Sequence, residues 1–238
     1  PIAVGSLEVG SILKLKKSDG SEVEYLIVHQ GLPDTTLYDA SCDGTWVLRK
    51  DILEERVWGS TNNDYANSDI HAYLNTTFVN TFDAETKNAI KQVKIPYQNG
   101  TGSGGSVASG INGLSTNVFL LGGYEVGFSI SNHTYFPIDG AKLDYFSSGI
   151  DTDANNKRIA KYNGGATRWW LRSPHTDSTD NVWNVHFNGN YNSWHCSNTC
   201  GVRPALVLYS NSTVTENEDG SYTLVGGGQL SQPQSITK

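Results

Sequence analysis

Methionine is absent from this 238-residue chain, and cysteine occurs only three times, as Cys42, Cys196 and Cys200. So few thiols, odd in number, argue against a disulfide-stapled scaffold and leave the fold to an apolar core. Hydrophobic residues make up 37% of the sequence and aromatics 11%, enough for one sizeable domain. Basic residues are scarce as well: 17 Lys and Arg against 24 Asp and Glu give a formal net charge of −7. A nucleic-acid partner is not expected, since phosphate-backbone binding needs clustered cations that release counterions. No apolar run of about 18 residues occurs, so no membrane insertion is expected. The opening PIAVGSLEVG lacks the basic and apolar parts of a leader, and a chain that starts at Pro1 without methionine is expected to be a piece of a longer polypeptide.

Alternating apolar and polar positions in residues 7–29, on either side of Asp19-Gly20, predict a β-hairpin. TWVLRKDIL at 45–53 predicts a third strand. Ser68 is placed to cap a helix with Ile70, Tyr73, Leu74 and Phe78 on one face. Asp83 is placed to cap a shorter helix that directs Ala89, Ile90 and Val93 inward and ends at Pro96. A Gly- and Ser-rich loop, QNGTGSGGSVASGINGLS, follows. VFLLGGYEVGF at 118–128, RWWLRSP at 168–174 and GVRPALVLYS at 201–210 predict further strands. The expected organisation is a linker over 1–6, a domain over 7–210 and a terminal strand or linker over 211–238.

Chemical signatures are weak by comparison. GTGSGG at 100–105 fits G-x-G-x-x-G but lacks a following helical period. His195, Cys196 and Cys200 lie close together without a fourth metal ligand, so a buried Cys196 acting as a small hydrophobe is the preferred reading. No nucleophile elbow is present, and the carboxylates are scattered singly. Arg172 and Arg203 sit in apolar strands, where an arginine is expected to bind backbone carbonyls or a buried carboxylate.

The most unusual segment is HTDSTDNVWNVHFNGNYNSWHCSNTC at 175–200. Of its 26 residues, 18 are Asn, Asp, His, Ser, Thr or Tyr. Each of these is encoded by an AAC-type codon or by one with a single change at either adenine, the residue set that adenine-directed mutagenesis leaves. Trp183, Val185 and Phe187 alternate with Asn184, His186 and Asn188, predicting a strand that buries the first three. After a turn at Gly189, a return strand is expected to display Tyr191, Ser193 and His195.

WWLRSP at 169–174 with GVRPALVL at 201–208, together with DILEER, NDYANSDIHAYLN and KQVKIPY upstream, resembles a domain family of gut bacteria and their phages. That family is similar to the C-type-lectin-fold variable proteins of diversity-generating retroelements, and more distantly to formylglycine-generating enzymes. The resemblance implies an α+β, C-type-lectin-like fold with small twisted antiparallel sheets, two helices and long irregular loops. It implies a non-enzymatic, hypervariable binding domain on a virion tail or bacterial surface, without cofactor or metal. Its partner would be a host-cell surface receptor, protein or glycan, engaged by a homo-oligomer or other multivalent display. The matching ligand-binding positions are Asn184, His186, Asn188, Asn190, Tyr191, Asn192, Ser193, His195, Ser197, Asn198 and Thr199. The sugar-binding strings of calcium-dependent lectins are absent, so neither calcium nor carbohydrate is implied. A copper oxidase using Cys196 and Cys200, or a purely structural virion or cell-wall module, are the alternatives.

Overall fold

Strands Ile12–Lys16 and Glu22–Gln30 form the expected first hairpin, with Gly20 at φ +84° in the turn, a conformation that glycine adopts without steric cost. They stand within a seven-stranded mixed sheet in the computed structural model, which describes residues 1–102 and 106–228. Its order is Ile2–Ala3, Thr213–Glu216, Tyr222–Gly226, Ile12–Lys16, Glu22–Gln30, Thr45–Arg49, Ala205–Leu208. Pairing thus reaches beyond the expected 7–210 domain at both ends. Ile2 pairs with Val214, and Tyr222–Gly226 runs parallel to Ile12–Lys16, with Val214 and Leu224 buried. Residues 2–3, 213–216 and 222–226 are therefore built into the sheet, and 229–238 of the expected terminal linker lie outside the described residues.

A second, five-stranded sheet runs Tyr191–His195, Asn181–Val185, Trp169–Pro174, Thr199–Val202, Glu54–Val57. Two expected strands differ in extent, and one of them divides between the sheets. The 45–53 strand ends at Arg49, and Glu54–Val57 pairs in the smaller sheet. GVRPALVLYS divides at Arg203-Pro204, giving Thr199–Val202 to the smaller sheet and Ala205–Leu208 to the larger. Pro204 has no N–H to continue a ladder, which makes it a natural point for the chain to change sheets.

Helix α1 (Asp69–Thr76) begins where Ser68 Oγ accepts the His71 N–H at 3.2 Å, and α2 (Ala84–Ala89) where Asp83 accepts the Thr86 N–H at 2.8 Å. Helix α2 stops at Ala89 rather than Pro96, because Val93–Ile95 pairs with Leu114–Thr116. A third helix, α3 (Thr152–Arg158), capped by Asp151, adds to the two expected. It lacks an apolar stripe, burying only Ala154 and Arg158, so periodicity did not reveal it. Residues 118–128 are mostly buried, as expected, but pair only through a bridge from Phe119 to Ala205. Among the described residues the architecture is α+β: two larger mixed sheets, three two-stranded ones, three short α-helices and long irregular connections.

The fully buried strand Trp169–Pro174 carries the polar centre of the core. Arg172 donates to the carbonyls of Pro96 (3.1 Å), Leu120 (3.0 Å) and Asp139 (2.7 Å), and forms an ion pair with Glu125. Tyr38 Oη donates to Glu125 at 2.6 Å and Ser173 Oγ to Asp139 at 2.7 Å. Burial alone would lower the Arg172 pKa, but Glu125 and Asp139 hold it above the ordinary value.

Burial pushes the Asp139 carboxyl up from 3.8 to about 6, against the opposing pull of Arg172 and Ser173, and its Oδ1 has no partner. A folded-state pKa above the unfolded one gives stability that is complete below the unfolded pKa and lost as pH rises through the folded one. Denaturant unfolding of wild type and Asp139→Asn across this range checks it. Wild-type stability minus variant stability is expected to fall by up to about 3 kcal/mol between about pH 4 and pH 7; a flat difference would refute the assignment.

Candidate functional site

The asparagine-rich segment forms a hairpin at the edge of the smaller sheet. Asn181–Val185, buried from Val182 onward, lies between the wholly buried Trp169–Pro174 and the displayed Tyr191–His195. Residues 186–190 connect the two hairpin strands, closed by His186 N–H to Asn190 O at 2.7 Å and Gly189 N–H to His186 O at 2.8 Å. The tip is tied to α3: Arg158, completely buried, donates Nε to the Gly189 carbonyl at 2.8 Å, Nη1 to Val126 O and Nη2 to Gly149 O. Its guanidinium lies 4.0 Å from the Phe128 ring centroid. At the other end Asn63, also fully buried, donates Nδ2 to the carbonyls of Ser178 and Asn181 at 2.8 Å each. Both ends of the segment are therefore held by side chains from elsewhere in the chain.

Ten of the eleven candidate positions are at least partly exposed. Asn188, Ser197, Asn198 and Thr199 are exposed, and His186, Asn190, Tyr191, Asn192, Ser193 and His195 are half-buried. Asn184 is the exception. It is 0% exposed, in register with Trp170 and Asn192, and neither polar atom of its side chain has a partner. An interior strand with both faces covered cannot display it. Phe187, expected inside, is 50% exposed, because the strand ends at Val185 and the alternation ends with it.

Register divides the exposed set between two faces. Tyr191 and Ser193 sit opposite Val185 and Trp183, whereas Asn192 and Trp194 sit opposite Asn184 and Val182, and opposed residues share a face. On the first face the Trp183 ring stacks on Phe136 (4.1 Å) and His175 (4.9 Å), with His133 and Tyr191 set edge-on. Tyr191 is anchored there by its hydroxyl, which donates to Asn132 O at 3.1 Å. On the second face the Arg168 guanidinium lies 4.2 Å over Trp194, 5.7 Å from Phe187, and its Nη2 is 2.8 Å from His186 Nε2. Burial first, and Arg168 second, hold the His186 pKa below its usual value, which keeps Nε2 available to accept from Arg168. Arg168, Phe187 and Trp194 line, with Glu55, Thr167, Thr199 and Cys200, an open pocket of about 240 Å³. Sequence reasoning missed Arg168 and Glu55. Neither lies in the asparagine-rich segment, and Glu55 reaches the pocket only through the pairing of Glu54–Val57 with Thr199–Val202, where it is in register with Gly201.

Cys196 and Cys200 are both free and buried. Burial raises both thiols, that of Cys200 to about 12, which disfavours the thiolate needed for metal binding or nucleophilic attack. Among the described residues no group of three or more His, Cys, Asp or Glu is placed to hold a metal. His195 Nδ1 receives both the Ser197 N–H (3.1 Å) and Ser197 Oγ (2.7 Å), while Nε2 faces Asp180 at 3.3 Å. This Ser–His–Asp line braces the exposed turn: a two-residue separation and a backbone donor on the same nitrogen make it a local turn motif.

Two substitutions probe this construction through thermal or denaturant unfolding. Gly189 has φ +85°, and a Cβ there would meet the Asn155 carbonyl; Gly189→Ala is expected to cost roughly 2–3 kcal/mol. Asn184→Leu replaces an unpartnered buried amide with apolar volume and is expected to be neutral or stabilising by about 1–2 kcal/mol. A marked loss in Asn184→Leu would mean that the amide is satisfied.

The model of a family described as a domain of unknown function, DUF6273, matches residues 43–210. No curated protein and no solved structure matches the chain. The family match spans the hairpin, the buried WWLRSP strand, the sheet-crossing Arg203 and α1 to α3, well over half of the chain, and the chain therefore belongs to the DUF6273 family.

Proposed function

We propose that this chain is a non-enzymatic recognition domain with a C-type-lectin-like fold, and that the Asn181–His195 hairpin and the turn to Thr199 form its binding face. The supporting observation is the separation of roles at the hairpin: ten of eleven candidate side chains reach solvent, while Trp169–Pro174 behind them is buried throughout and Arg158 and Asn63 hold the ends. Exposed substitutions on such a frame usually change stability by less than about 0.5 kcal/mol, so the surface can vary without endangering the fold.

Asn, Ser and Thr supply adaptable hydrogen bonds, and Tyr191 and Trp194 supply rigid contact area, the combination used by antibody paratopes. The ligand is a host-cell surface receptor, protein or glycan, and the setting is a virion tail or bacterial surface. Multivalent display by a homo-oligomer raises the avidity of an individually weak site. No cofactor takes part. The chemistry of the residue set and the resemblance of WWLRSP and GVRPA point to diversification by a retroelement.

The decisive measurement is sequencing of the source locus. A near-copy of the segment coding for residues 170–206, beside a reverse-transcriptase gene and differing almost only at its adenines, is expected. Differences should fall on the exposed positions and spare Trp170, Arg172 and Arg203. Absence of such a copy would reduce the segment to an ordinary polar hairpin.

A further inference from the structure

Away from the hairpin, an open pocket of about 390 Å³ lies where the Lys50-Asp51 turn and the end of α3 meet the sheet-crossing Arg203. Its size is in the usual range of small-molecule sites, about 300–1,000 Å³. Its charge runs against that of the chain. Lys50, Lys157, Lys161 and Arg203 line it beside the single carboxylate of Asp51, in a chain of net charge −7. Lys50 is also 3.5 Å from Glu24; four cations less two carboxylates still leave two positive charges.

The lysines are exposed, whereas Arg203 is 2% exposed. Its guanidinium lies 4.9 Å over Trp169, Nε donates to Arg49 O at 2.7 Å and Nη2 to Lys50 O at 3.0 Å. Nη1 is buried and has no partner, and among the described residues no carboxylate pairs with Arg203. The contrast with Arg172, which has Glu125, is direct. An unmatched buried donor is costly and an unpaired buried charge more so. Burial accordingly pulls the Arg203 pKa down to about 10, with Tyr145 and Asp51 only partly offsetting it.

We propose that this pocket binds a small phosphorylated molecule, with the phosphate facing Arg203 and ringed by Lys50, Lys157 and Lys161. A phosphate monoester carries about −1.5 to −2 charge and three strong acceptors, which matches the surplus of two positive charges better than a monocarboxylate does. Residues Leu26 and Tyr145 on the same wall offer apolar surface to the rest of the molecule. The site is independent of the hairpin and of the recognition function assigned to it.

Calorimetric titration of the whole chain with inorganic phosphate, glycerol 3-phosphate and acetate, at constant ionic strength, tests the proposal, while the Arg203 Nε–H resonance is followed by NMR. Saturable binding of both phosphates is expected, with acetate much weaker and the Arg203 resonance following the same saturation curve. Lys157→Ala/Lys161→Ala should weaken phosphate binding about tenfold or more with an unchanged melting temperature, and the double Lys→Arg variant should retain it. Absence of saturation, acetate binding equal to phosphate, or affinity indifferent to the double Ala variant would overturn it.

Discussion

A guanidinium withdrawn from water has to be matched by acceptors, and Arg172 collects its acceptors from distant parts of the chain: Pro96, Leu120, Glu125 and Asp139. Three of these lie in segments with little regular structure, whose own backbone groups need partners. A buried ion pair is weak evidence of net stability, but removing one partner strands the others. The consequence is conditional assembly. The irregular stretches around residues 96, 120 and 139 are fixed only when the buried strand is in place, and the strand tolerates its charge only when they are.

This arrangement explains how a chain with so few helices and so much irregular backbone presents a defined surface. The WWLRSP strand is tied to the core on one side by Arg172 and supports the Asn181–Val185 strand on the other. Arg203 marks the residue at which the chain leaves one sheet for the next, and Trp169 lies beneath it. Two buried arginines thus hold the core by different chemistry: Arg172 has a counter-charge, whereas Arg203, at the crossing between the sheets, has only carbonyls and a ring.

Much of the frame was legible in the sequence. The first hairpin, the Ser68 and Asp83 caps and the structural role of Arg172 and Arg203 followed from turn chemistry, side-chain capping and the cost of a charge in an apolar strand. Where reading failed, a non-local cause is identifiable. Asn184 reads as exposed from alternation alone, yet it occupies an interior strand covered on both faces. Helix α3 has no apolar stripe because its contribution is the buried Arg158 and not a hydrophobic face. The pocket around Arg168 depends on cross-strand neighbours such as Glu55 and Thr199, which no local pattern brings together. The terminal strands at Ile2–Ala3 and 213–226 are short and find partners only in each other and in the first hairpin.

The Arg158–Gly189 bond has one further consequence. Because the turn is nailed to α3 by its backbone carbonyl and leaves no room for a Cβ, the distance around residues 186–190 is set by a backbone anchor and not by the identity of the displayed side chains. An inserted or deleted residue would pull Gly189 off its anchor, whereas a changed side chain at Asn188 or Asn190 would not. The surface therefore behaves like a line of type with a fixed number of slots: novelty enters through the letters and not through the length of the word.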